Sequence, residues 1–117
     1  MKKAIAIVFV TMLYSSTAQA APQIPSAFQG KWAAKKDCHF FAETTTPDPG
    51  VEVTSTDFNR MENYCKLEKV VKASAKSFTG AFVCTVEGEE SKDTITIKLG
   101  VKNQLSYDGS PVLSKCK

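Results

Sequence analysis

The chain has little of what most enzymes need. It holds one histidine, His39, so no histidine cluster or relay can form. It has no Walker loop, no dinucleotide fingerprint, no H-E-x-x-H and no G-x-S-x-G elbow. There is no C-x₂-C pair for zinc or thiol exchange, no EF-hand spacing and no N-x-[ST] sequon. No apolar run reaches the roughly 18 residues that a membrane-spanning helix requires. Charge is nearly balanced. The formal net charge is +3, and Lys2 and Lys3 account for two of those charges. Lysines and acids alternate along the chain. This predicts a mixed, solvated surface and no nucleic-acid patch, which would need a basic cluster interleaved with aromatics. These absences exclude most catalytic and cofactor classes. The expectation is a non-enzyme with no cofactor and no metal.

What is present first is an address. Lys2 and Lys3 form a positive start, Ala4–Tyr14 is apolar, and Ala18-Gln19-Ala20 offers a small-x-small cleavage site. Residues 1–20 are therefore expected to be a bacterial-type signal peptide. No cysteine follows the cut, so a lipid anchor is not expected. The mature domain is residues 21–117, a soluble protein of the periplasm, with secretion as the alternative. All four cysteines, Cys38, Cys65, Cys84 and Cys116, follow the leader. In an oxidising compartment they read as two disulfides bracing a small domain.

Period-two alternation dominates the mature chain, and β-branched and aromatic residues fill the alternating stretches. Ala21–Ala27 reads as an irregular arm. Phe28–Ala34 reads as a first strand, with Phe40 and Phe41 extending it after an interruption. Glu43–Gly50 is a loop, since Pro47 and Pro49 cannot donate to a ladder. Val51–Phe58 reads as one strand, and Arg60–Asn63 as a turn. Cys65–Lys72, Phe78–Val86 and Thr94–Leu99 are the strongest strands. Asn103–Tyr107 and Val112–Cys116 form a last hairpin around Asp108-Gly109. The fold expected is all-β: a small antiparallel up-and-down barrel or strongly curled sheet of about six to eight strands. Leu67, Phe78, Phe82, Ile95, Ile97, Leu99 and Trp32 are its expected core.

Register narrows the cysteine pairing. A hairpin that opposes Cys65 to Cys84 also opposes Leu67 to Phe82 and Val71 to Phe78, all inward candidates. Opposed strand residues lie within disulfide reach. Cys65–Cys84 is thus favoured, and Cys38–Cys116 joins the first strand to the last. In the chain-entropy picture the short loop contributes about 3 kcal/mol and the long one about 4.5 kcal/mol. For the next hairpin the same logic opposes Val86 to Ile95, Cys84 to Ile97 and Phe82 to Leu99. Two clusters that could suggest chemistry have plainer readings. His39 beside Cys38 reads as a strand-edge histidine, and Glu87, Glu89 and Glu90 read as a solvated hairpin tip rather than a carboxylate pair across a cleft.

Gly30-Lys31-Trp32 on the first strand resembles the G-x-W opening of lipocalins and other calycin-type barrels. That resemblance implies a barrel whose closed end is plugged by Gly30 and Trp32, with Lys115 as the covering basic residue. It also implies a small apolar ligand held inside. In size, export and disulfides the chain is also similar in kind to bacterial periplasmic lysozyme inhibitors. Two functional expectations follow. One is a protein-binding inhibitor or immunity-type module that recognises a periplasmic protein through an exposed loop such as Glu43–Gly50. The other is a carrier of a small apolar ligand. An apolar cavity of about 300 Å³ or more favours the carrier, and a filled interior favours the module.

Overall fold

The structure is a computed structural model and describes residues 21–117. The leader expected over residues 1–20 lies outside the described residues. Eight strands form a closed antiparallel barrel: β1 (Gly30–Ala33), β2 (Gly50–Val53), β3 (Asp57–Arg60), β4 (Asn63–Ala73), β5 (Ser77–Val86), β6 (Glu89–Leu99), β7 (Gln104–Tyr107) and β8 (Leu113–Cys116). Each strand pairs with the next in sequence. β8 returns to β1 through Lys31 opposite Cys116, Trp32 opposite Lys115 and Ala33 opposite Ser114. Two 3₁₀ segments, η1 (Ser26–Phe28) and η2 (Lys35–Glu43), flank β1. Among the described residues no helix is long and apolar enough to cross a membrane.

Alternation sets the inside. Trp32, Val51, Val53, Phe58, Cys65, Leu67, Phe78, Phe82, Cys84, Ile95, Ile97, Leu105 and Leu113 are buried in one cluster, joined by Ile24 and Phe28 from the arm before β1. The expected core residues are all there, with Leu99 half-buried and packed against the cluster. The interior is filled. A Cβ placed on Gly80 would come within 2.7 Å of Leu67 and 2.8 Å of Phe82, so glycine is what lets these side chains meet. Eight-strand barrels have room for side chains or one small ligand, and here side chains take it.

Both expected disulfides are present. Cys65–Cys84 lies inside the barrel between directly opposed residues, with Cα atoms 4.0 Å apart. Cys38–Cys116 lies on the outer wall and spans 5.4 Å between Cα atoms. It pins η2 against β1 and β8, where Phe41 packs on Ala33.

Several local expectations change. Phe40 and Phe41 belong to the 3₁₀ segment η2 rather than to a strand, because the chain must turn back over the outer wall to bring Cys38 to Cys116. His39 is consequently an exposed residue of η2 and not a strand-edge one. Its Nδ1 lies 2.9 Å from the Lys36 carbonyl. Phe28 ends η1 and the strand starts at Gly30. Val51–Phe58 is two strands, not one. Thr54 Oγ1 accepts the backbone N–H groups of Asp57 (3.0 Å) and Thr56 (3.3 Å), which closes a turn. The turn brings Phe58 inward beside Val53.

Registers also shift. β4 opposes Leu67 to Phe82 as expected, but irregularities follow between Leu67 and Lys69 and between Val70 and Lys72. Phe78 therefore faces Ala73, and Val71 turns outward at 56% exposure. In the next hairpin Phe78 faces Ile97 and Gly80 faces Ile95, while Cys84 faces Ser91. The turn is the two-residue Glu87-Gly88, with φ of 51° and 81°, the left-handed pair that tight hairpins use. The slide is even, so every residue keeps its face and only its partner changes. Glu89–Thr94 then runs past the core, exposed throughout.

Candidate functional site

An up-and-down barrel has two sets of connections. At one end, the closed end, lie the arm before β1, the β2–β3 and β4–β5 turns and the β6–β7 loop. At the other, the mouth, lie η2 with the following loop, the β3–β4 and β5–β6 turns and the β7–β8 loop.

The arm fills the closed end. Ile24 donates its N–H to the Ser55 carbonyl at 2.7 Å and is 1% exposed. Phe28 is buried beneath the sheet and stacks 6.0 Å from Phe78. The Trp32 indole N–H donates to the Phe28 carbonyl at 3.0 Å, so the plug carries no unpaired polar group there. Lys115 lies with its Nζ 5.6 Å from the Trp32 ring. Gly30 has φ of +141°, and a Cβ there would sit 2.9 Å from the Lys115 side chain. Gly30, Trp32 and Lys115 are thus brought together, as packing.

The mouth differs in chemistry. Arg60 ends β3 on the inward side, next after Phe58 in alternation, and Tyr107 ends β7 across the barrel. The Arg60 guanidinium lies 5.6 Å from the Phe58 ring and 5.8 Å from the Tyr107 ring. The two rings meet edge to face at 5.1 Å. Each face adds a cation–π attraction of about 0.5–2 kcal/mol. Arg60 Nη2 reaches Cys65 Sγ at 3.7 Å, a weak bond, and Arg60 Nε is buried without a partner. Among the described residues the only ion pair within 4 Å is Lys92–Glu68, both exposed, so Arg60 has no carboxylate within ion-pair distance.

Burial raises the Tyr107 hydroxyl above the usual tyrosine range. Arg60 works against that rise, and Asp48 and Asp108 add to it. The phenol is therefore held neutral beside the guanidinium. Two depressions open on either side of Arg60. One, of about 250 Å³, is bounded by Asp48, Gly50, Met61, Asn63 and Tyr107. The other, of about 400 Å³, is bounded by Thr44, Thr45, Thr46, Glu52, Glu62 and Tyr64. The Thr44–Pro49 loop forms a wall of both, and buried Pro47 anchors it against Gly50. Met61 and Tyr64 stand exposed at the rim, at 47% and 63%.

This geometry can receive a carboxylate. A guanidinium offers a planar fork of donors, and the Phe58 and Tyr107 rings, which touch each other, lie together on one side of it without using its N–H groups. His39 lies on the outer wall, and Glu87, Glu89 and Glu90 sit exposed at the β5–β6 tip. Among the described residues no three His, Cys, Asp or Glu side chains are placed to hold a metal.

Arg60 and Tyr107 were not among the expected site residues. One signal for Arg60 was in the composition. It is the only arginine in a chain that otherwise carries its positive charge on lysines. An arginine is required where a cation must be flat, stacked and forked. Comparison with protein-family models, with curated proteins and with solved structures finds no match for this chain.

Proposed function

We propose that the chain is a non-catalytic, exported binding module of inhibitor or immunity type, which recognises a protein through the barrel mouth. The observation that carries this reading is the filled interior: Trp32, Phe28, Phe58, Phe78 and Phe82 are each less than 2% exposed. With no room inside, recognition falls to the surface. At the mouth an arginine with two aromatic rings at its side and no ion-pair partner within 4 Å lines two depressions, on a frame held by strand ladders and an internal disulfide. A partner supplies a carboxylate to Arg60 and an apolar contact to Met61 and Tyr64. The disulfides are compatible with an oxidising compartment, which supports the periplasm as its location.

The test uses the disulfide-bonded domain, residues 21–117, immobilised and exposed to periplasmic extract. A retained protein should then be measured as a purified binary complex. Binding should weaken at least about tenfold in Arg60→Met, in line with loss of one partner of a buried charge pair. The carrier reading gains its support from Gly30-x-Trp32, and native mass spectrometry weighs it. One apolar molecule bound per freshly purified chain, with no protein partner, would overturn the module reading.

A further inference from the structure

The closed end gathers lysines that are scattered in the sequence. Lys76 comes from the β4–β5 turn, Lys102 from the β6–β7 loop and Lys115 from β8. All three line one depression of about 610 Å³, together with Trp32, Leu99 and Val101. No acidic residue lines it. Asn103 and Gln104 add neutral polar groups, and Lys72 and Lys117 lie on the same side. Asp57, at the start of β3 on the same end of the barrel, does not line it, and its carboxylate accepts a bond from Thr56 Oγ1 at 3.1 Å.

The loops that present these lysines are tied down. Gly100 donates its N–H to the Gln104 carbonyl (2.8 Å), Lys115 to the Asn103 carbonyl (3.1 Å) and Leu99 to the Lys76 carbonyl (2.9 Å). Between Gly100 and Lys102, Val101 stands 73% exposed. The result is a depression lined by three lysines, with half-buried Leu99 in its wall and an apolar tip, Val101, exposed beside it. Lysine ammoniums act as point charges, and several of them lining one depression without an acid attract a phosphate electrostatically. The mouth, by contrast, mixes Arg60, Lys35 and Lys36 with Glu43, Asp48, Glu62 and Asp108.

We propose that the Lys76–Lys102–Lys115 depression is a binding site for a phosphate-bearing anionic amphiphile. The phosphate lies against the three lysines, and the apolar part lies against Leu99 and Val101, with buried Trp32 directly beneath Lys115. This site is separate from the mouth, and its failure would leave the mouth reading standing.

Trp32 is the only tryptophan of the chain and lines the site, so its fluorescence reports occupancy. Two probes distinguish the sources of such a phosphate. One is short-chain dihexanoylphosphatidylglycerol, kept monomeric; the other is vesicles of phosphatidylglycerol mixed with phosphatidylcholine. The variants are K76Q/K102Q, which spares the plug residues, and K35Q/K36Q, which makes the same charge change at the other end. Each variant is first shown to unfold at the same urea midpoint as the parent. Saturable binding of the monomeric lipid supports a free amphiphile as ligand. Binding to vesicles alone supports a headgroup in a membrane. In either case K76Q/K102Q should weaken binding at least about tenfold, since each lysine near an anionic surface counts separately, and K35Q/K36Q should change it less than about twofold. Equal weakening by both pairs would reduce the effect to net charge and overturn the proposal. So would an unchanged Trp32 spectrum with both probes.

Discussion

The two ends of this barrel solve opposite problems with similar materials. Each places a cation over an aromatic ring: Lys115 over Trp32 at one end, Arg60 over Phe58 and Tyr107 at the other. At the closed end the chain before β1 is folded in as well. Ile24 and Phe28 fill the space beneath Trp32, and the indole N–H finds a carbonyl. At the mouth nothing comparable is folded in. Arg60 Nε is buried and unpaired, and Tyr107 is only half-buried. A polar group buried without a partner costs about 1–3 kcal/mol. On the function proposed above, the packed closed end stabilises the barrel, and the mouth keeps an unmet bonding capacity for a protein partner.

That division has a direct test in the closed end. Trp32→Ala removes the largest fully buried side chain and the hydrogen bond to Phe28. The expected loss is about 3–5 kcal/mol, as for large aromatic truncations in packed cores. Domains of this size are stable by about 5–15 kcal/mol, so the variant should unfold at a much lower urea midpoint. A loss below about 1 kcal/mol would show that the plug is not what stabilises the barrel. The next largest effect belongs to the brace near the mouth. Removing Cys65–Cys84 as the double alanine variant should cost about 3 kcal/mol, from a loop of 19 residues. It should also free the Arg60 side chain, which contacts Cys65 Sγ. Weaker partner binding than the loss of folded population accounts for would place the brace in the recognition surface.

Arg60→Met sharpens the contrast further. It removes a half-buried charge and its unpaired Nε and keeps much of the volume. Replacing such a charge with an apolar side chain is often neutral or favourable. Stability should stay within about 1 kcal/mol of the parent, or rise, while binding to a protein partner falls at least about tenfold. A large loss of stability with intact binding would reverse the roles assigned to the two ends.

How far these features could be read from sequence depends on whether the contact is local. Strand faces were legible because alternation is local, and the core from Leu67 to Ile97 follows from it. The Cys65–Cys84 pair was legible because its register also opposes Leu67 to Phe82, although irregularities further along β4 part Val71 from Phe78. The next hairpin was not. Sliding β6 against β5 by an even number of residues leaves every face unchanged, so alternation has no power to choose, and the Glu87-Gly88 turn decides. The segment η2 was not legible because its path is set by a disulfide to the far end of the chain. The Arg60–Tyr107 contact joins β3 to β7, and the lysine cluster joins β4, β6 and β8. Both are products of closing the barrel, and neither has a pattern within any one stretch of chain.

The smallest effect expected is also the most specific to the mouth. Burial raises the Tyr107 pKa above the usual tyrosine value, with Arg60 opposing and Asp48 and Asp108 adding to the rise. A group whose folded pKa lies above its unfolded one stabilises the fold fully below the unfolded value. That stabilisation is lost as pH rises through the folded value. Tyr107 should therefore contribute a loss of stability that begins only above about pH 10. Every other group is common to the parent and to Tyr107→Phe, so the difference between the two thermal-unfolding profiles isolates the phenol. The difference should be flat to about pH 10 and then narrow. Two neighbours fix the assignment through the tyrosinate absorbance that Tyr107→Phe removes. Arg60→Met should move that titration to higher pH, because the opposing cation is gone, and Asp48→Asn should move it lower. If both variants left it unchanged, Arg60 and Tyr107 would not share one electrostatic site, and the proposed role of Arg60 as a carboxylate receptor would lose its support from Tyr107.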